Sequence, residues 1–184
     1  MSETTPSAEN SNAAPEAKKP KKKKTATSYA VEFFIRIAVT VLVVWLLLTF
    51  VAGVYVEHTN SCYPMLKDGD LCVTLKVKEP VQGDLIAYSK EDKIHFGRVV
   101  ASGGDTVEIK EDYVMVNGFG IFENTLYPTS AEGSKIDYPY TVPEGTWFVL
   151  NDFRTDMSDS RTVGAIDKED YKGKLIFVMR RRGF

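Results

Sequence analysis

Ile94-His95-Phe96-Gly97-Arg98-Val99-Val100 decides the fold class. Ile94, Phe96 and Val100 fall on one side of a period-two pattern, with His95 and Gly97 on the other. That is the spacing of a β-strand with two unlike faces. Leu71-Cys72-Val73-Thr74-Leu75 and the stretch Asp84 to Tyr88 repeat the pattern earlier in the chain. Later, Val107-Glu108-Ile109 and Tyr113-Val114-Met115-Val116 are short β-rich runs, and Asn117-Gly118 is a hairpin signal. Trp147 to Leu150 and Leu175 to Met179 read as buried strands, and helical periodicity is confined to Lys168 to Tyr171. The pattern predicts a mainly β, antiparallel domain over residues 57–184. Asn117 to Glu144, weakly periodic and holding several Gly and Pro, reads as a long connection or small subdomain between two better-defined halves.

Residues 29–56 are of another kind. From Ile37 to Val56 no residue is charged, and only Thr40, Thr49 and Gly53 interrupt the apolar run. A helix of that length, at ~1.5 Å per residue, spans about 30 Å, the thickness of a hydrocarbon core. The hydrophobic part of a secretory signal peptide is only about 7–15 residues. The segment reads as a membrane anchor in the lipid bilayer. Before it, residues 1–28 are rich in Ser, Thr, Pro, Ala, Asn and Lys and hold nothing to bury, so they read as a disordered tail.

Charge predicts the orientation. Residues 1–36 hold seven Lys/Arg against four Glu, whereas residues 57–184 hold 16 basic and 21 acidic residues. Positive charge stays inside, which places the N-terminus in the cytoplasm and the β domain outside a single-pass cell-membrane protein. The acidic exterior excludes a nucleic-acid partner. No His/Cys/Asp cluster has metal-ligand spacing and no Gly-rich phosphate loop occurs, so no metal or other cofactor is expected.

Chemistry concentrates in four blocks. The first is Thr59-Asn60-Ser61-Cys62-Tyr63-Pro64-Met65-Leu66; the second is Gly83-Asp84-Leu85-Ile86. The third runs from Gly97-Arg98 to Gly103-Gly104-Asp105, and the fourth is Asn151-Asp152-Phe153-Arg154 through Asp159-Ser160-Arg161-Thr162-Val163-Gly164. Together, behind an N-terminal anchor, they resemble the bacterial type I signal peptidases, whose blocks read S-M-x-P-T-L, G-D-[IV]-V, K-R-x-x-G-x-x-G-D and G-D-N-R-x-x-S-x-D-S-R-x-x-G. Ser61 falls on the nucleophile, and Arg98, Asp152, Asp159, Ser160 and Arg161 fall on the residues that brace the site.

The resemblance implies a serine endopeptidase that removes signal peptides from exported precursors with a Ser/Lys dyad. A serine hydroxyl is a weak nucleophile and needs a base within hydrogen-bond reach. The Ser61 N–H and the Thr59 hydroxyl would form the oxyanion hole. The lysine position, however, is Gly97, which offers no base, and the serine that orients the lysine is replaced by Met157. A general base typically contributes about 10²–10⁴-fold in rate. The chain therefore resembles the degenerate, pilus-associated members of the family, which implies binding of exported preproteins or pilin subunits with lost or reduced cleavage. The alternative is an active peptidase with another base. His95 lies two positions before Gly97 on the same strand face, roughly 7 Å away, where Asp152 or Asp159 would orient it. Lys90 and Lys93 lie in a polar turn. Cys62 and Cys72 are both exterior, and whether they pair is open.

Overall fold

The computed structural model describes residues 25–123, 125 and 127–180. Residues 1–24 of the expected tail lie outside the described residues. The chain divides into two units, Met1–Thr40 and Val41–Phe184.

Helix α1 spans Ala26–Phe50, so it begins within the last residues expected of the tail. It is long and apolar enough from Thr27 to Phe50 to cross a membrane. The Thr40 and Thr49 hydroxyls donate to the carbonyls of Arg36 and Trp45, at 2.9 and 2.8 Å, so neither leaves an unpaired donor in the apolar stretch.

The apolar run then divides. Ala52–Val56 is strand β1, not the last turns of the helix, paired antiparallel to β2 (Leu71–Leu75) from Ala52↔Leu75 to Val56↔Leu71. Gly53 weakens the helix, Val54, Tyr55 and Val56 favour the strand, and β2 supplies a partner edge. The Nζ of Lys76 donates to the terminal helix carbonyls of Leu48 and Thr49, at 3.2 and 3.1 Å, closing the helix end.

The strands follow as β3 (Leu85–Lys90), β4 (Lys93–Ser102), β5 (Thr106–Lys110), β6 (Tyr113–Val116), β7 (Phe119–Gly120), β8 (Tyr140–Thr141) and β9 (Trp147–Leu150). The short helix α2 (Ser160–Val163) precedes β10 (Tyr171–Met179). One sheet has the order β1-β2-β10-β3-β4-β9 and the other β7-β6-β5-β8, with all pairs antiparallel. The expected β class holds. The Asn117-Gly118 hairpin forms with both residues at positive φ, as a two-residue turn requires. The helix suggested by Lys168 to Tyr171 is instead a turn entering β10.

The larger sheet is covered on both faces. Leu85, Ala87 and Phe96 pack with Cys62, Leu66 and Cys72 on one side. Ile86, Tyr88 and Val99 pack with Trp147, Val149 and Ile166 on the other. Hence the alternation of β3 separates two apolar sets rather than core from solvent. A third cluster joins Val100, Phe148 and Leu150 to Val107, Ile109 and Val114 of the smaller sheet. Between β3 and β4 the register sets Tyr88 opposite His95, Ile86 opposite Gly97 and Leu85 opposite Arg98, fixing which side chains border the site.

Candidate active site

Ser61 stands in the loop that leaves β1. Its carbonyl accepts the Phe153 N–H at 2.9 Å, which ties this loop to the segment after β9. Around the Ser61 hydroxyl the hydrogen bonds are local. Thr59 Oγ1 lies 2.9 Å from Ser61 Oγ, accepts the Ser61 N–H at 3.2 Å, and donates to Glu57 Oε1 at 2.5 Å. Glu57 Oε1 also accepts the Thr59 N–H at 2.8 Å. Thr59 is thus brought to Ser61 as expected, but its hydroxyl is engaged with a carboxylate and with the serine itself.

Glu57 was not legible as a site residue, because it follows an apolar run and belongs to none of the four blocks. It is buried, and its Oε2 has no hydrogen-bond partner among the described residues. Burial pushes its carboxyl above the usual carboxylate range, opposed by the hydrogen bonds from Thr59 and by the charge of His95.

Position 97 is closed. A Cβ there would run into Val149 Cγ1 closer than van der Waals contact allows, with Leu150 O at 3.4 Å and Tyr88 Cε1 at 3.5 Å. Val149 is fully buried, β-branched and therefore stiff, and its N–H donates to Ser160 Oγ at 2.9 Å. His95 stacks on the Tyr88 ring at 5.7 Å between centroids. Among the described residues no hydrogen bond joins His95 to Ser61. Lys90 and Lys93 face one another at the tip of the β3–β4 hairpin.

The bracing arginines and aspartates form two pairs. Arg98 grips Asp152 with two bonds, Nε to Oδ1 at 2.7 Å and Nη2 to Oδ2 at 2.6 Å, while Nη1 donates to the Gly83 carbonyl at 2.7 Å. Arg161 and Asp159 are wholly buried, joined by Nη2 to Oδ2 at 2.7 Å and Nε to Oδ1 at 2.9 Å. Asp159 also accepts the N–H groups of Arg161 and Asn151, capping α2 and holding the end of β9. A second wholly buried arginine, Arg154, reaches Glu123 and Thr129 across the smaller sheet's long loop, a partnership the sequence did not reveal. Cys62 and Cys72 are unpaired and buried in the same cluster.

Residues 30–180 match the family described as Signal peptidase, peptidase S26. The chain belongs to the signal peptidase family. Signal peptidase I T of Bacillus subtilis (strain 168) is 32% identical over 171 residues, covering 85% of this chain and 88% of that protein. Signal peptidase IB of Staphylococcus aureus (strain COL) is 27% identical over 171 residues, covering 79% and 87%. A crystal structure of a signal peptidase I from Enterococcus faecalis V583 aligns at a TM-score of 0.47 and 27% identity, covering 54% of this chain and 99% of that one. Signal peptidases act on exported preproteins, and the apolar α1 fits a membrane-anchored member.

Proposed function

We propose that this signal peptidase family protein holds exported preproteins in the groove bordered by β3 and β4, and cleaves them slowly or not at all. The closure of position 97 carries the reading. Val149 and the Tyr88 ring fill the space beside the Gly97 Cα, so the site is packed around the missing base rather than left as a void. An extended peptide binds through strand-edge hydrogen bonds and needs no base to do so. β9 pairs with β4 only from Arg98 onward, so among the described strands the Lys93–Gly97 half of β4 keeps an open edge on that side. Pilin subunits belong among the proposed clients, through the likeness to pilus-associated members with glycine at this position. We further place the N-terminus in the cytoplasm and the β domain outside, on the lysine-rich tail before α1. The test is photo-crosslinking of a reporter preprotein to the full-length protein in detergent, beside a cleavage assay of the same mixture. Crosslinking with little or no cleavage is expected. Absence of any preprotein contact overturns the reading.

A further inference from the structure

We propose that Glu57 is the terminal proton acceptor of a relay running from the Ser61 hydroxyl through the Thr59 hydroxyl, which leaves Ser61 a residual, carboxylate-driven acyl-transfer reactivity. The inference rests on the assignment of Ser61 as the nucleophile position, and it supplies a chemical source for slow cleavage.

A threonine hydroxyl has one proton and two lone pairs. Thr59 Oγ1 stands 2.5 Å from Glu57 Oε1 and 2.9 Å from Ser61 Oγ, and it cannot donate to both. An ionised carboxylate only accepts, so the Thr59 proton goes to Glu57 and a Thr59 lone pair remains for the Ser61 proton. The order Ser61–Thr59–Glu57 follows from that count.

Glu57 is 1% exposed, and among the described residues its Oε2 lacks a partner. A buried carboxylate with an orphan oxygen has no structural need of its charge, since a glutamine would fill the same volume. The charged and titratable groups around it are His95 from β4, Cys72 from β2, Cys62 from the Ser61 loop and Tyr88 from β3. Burial strengthens the carboxylate as a base, and of these groups only His95 opposes the effect.

The steps balance without any added reagent. As Ser61 Oγ bonds to the scissile carbonyl carbon, its proton passes to Thr59 Oγ and the Thr59 proton passes to Glu57. Collapse of the tetrahedral species breaks the C–N bond, and the leaving amine takes its proton from the Thr59 hydroxyl, which is refilled from Glu57. Water then attacks the Ser61 ester, giving its proton to Glu57 through Thr59. The ester bond breaks, the proton returns to Ser61 Oγ, and the carboxylic acid product leaves.

The experiment measures how fast a fluorophosphonate labels Ser61 in the full-length protein in detergent, by intact mass, across pH 4–9. The wild-type rate is expected to rise as Glu57 ionises. Glu57→Gln should label about 10²-fold more slowly and lose that pH dependence. Thr59→Val should match Glu57→Gln both in rate and in its lost pH dependence, while Thr59→Ser should keep the wild-type profile within a few-fold in rate. The pH profile, which loss of an oxyanion donor alone would leave in place, decides the matter if Glu57→Gln misfolds. Wild-type labelling that is absent, or a Glu57→Gln rate and pH profile like wild type, overturns the relay. Preprotein crosslinking to Ser61→Ala in parallel reports on the binding role by itself, so loss of binding and loss of the relay are read separately.

Discussion

Val149 occupies the space that a side chain on Gly97 would need, and the Val149 N–H is held in place by Ser160 Oγ at 2.9 Å. The serine of the D-S-R run thereby fixes the residue that bars a base from position 97. Gly97→Lys alone is therefore expected to leave cleavage at the parental level and to lower stability by about 1–3 kcal/mol, the usual cost of overpacking. Thermal unfolding and a preprotein assay on the single variant check both halves.

The wholly buried Arg161–Asp159 pair should dominate the stability of the segment after β9. Removing one partner leaves an uncompensated buried charge, so Asp159→Ala should cost about 3–5 kcal/mol in denaturant unfolding. It should also release the Asn151 and Arg161 N–H groups that Asp159 accepts. Loss of less than about 1 kcal/mol would show that the pair is dispensable.

Glu57 makes stability depend on pH with a defined sign. Its folded carboxyl is raised above the unfolded one, chiefly by burial. The folded state therefore binds the proton more tightly, and the contribution to stability is fully present below the unfolded pKa. It is lost as pH rises through the raised folded value. The melting temperature of wild type relative to Glu57→Gln should fall from about pH 4 to pH 8. A constant or rising difference would contradict a raised carboxyl.

Both cysteines should behave as sheltered, unpaired thiols. Burial pushes the Cys62 thiol well up, reinforced by Asp152 and Glu57, and pushes Cys72 up to about 12. An aromatic disulfide reagent at pH 8 should find little fast reaction in the native protein and both thiols after unfolding without reductant. Thiols that appear only after reduction would mean a Cys62–Cys72 bond.

The β class, most strands and the Asn117-Gly118 hairpin were legible because period-two patterning and turn residues are local signals. The start of β1 was not, since the apolar residues of a bilayer helix and of a buried strand look alike. Only pairing with β2 separates Ala52 from the helix that ends at Phe50. At the site, Ser61, Gly97 and the arginine–aspartate braces could be placed from their blocks. The partition of those braces into Arg98–Asp152 and Arg161–Asp159 is set by register. Glu57 carries no such signal, because a carboxylate just after an apolar run reads as the return to solvent. Its role follows from the loop that folds Thr59 and Ser61 back against it.

The decisive measurement is cleavage of a reporter preprotein by the full-length protein beside Ser61→Ala, Gly97→Lys with Val149→Ala, and signal peptidase I T of Bacillus subtilis. Parental turnover at least about 10²-fold below the Bacillus enzyme is expected, with the double variant, which opens room for a base, above the parent. Parental turnover equal to the Bacillus enzyme and abolished in Ser61→Ala would contradict the proposed loss of cleavage.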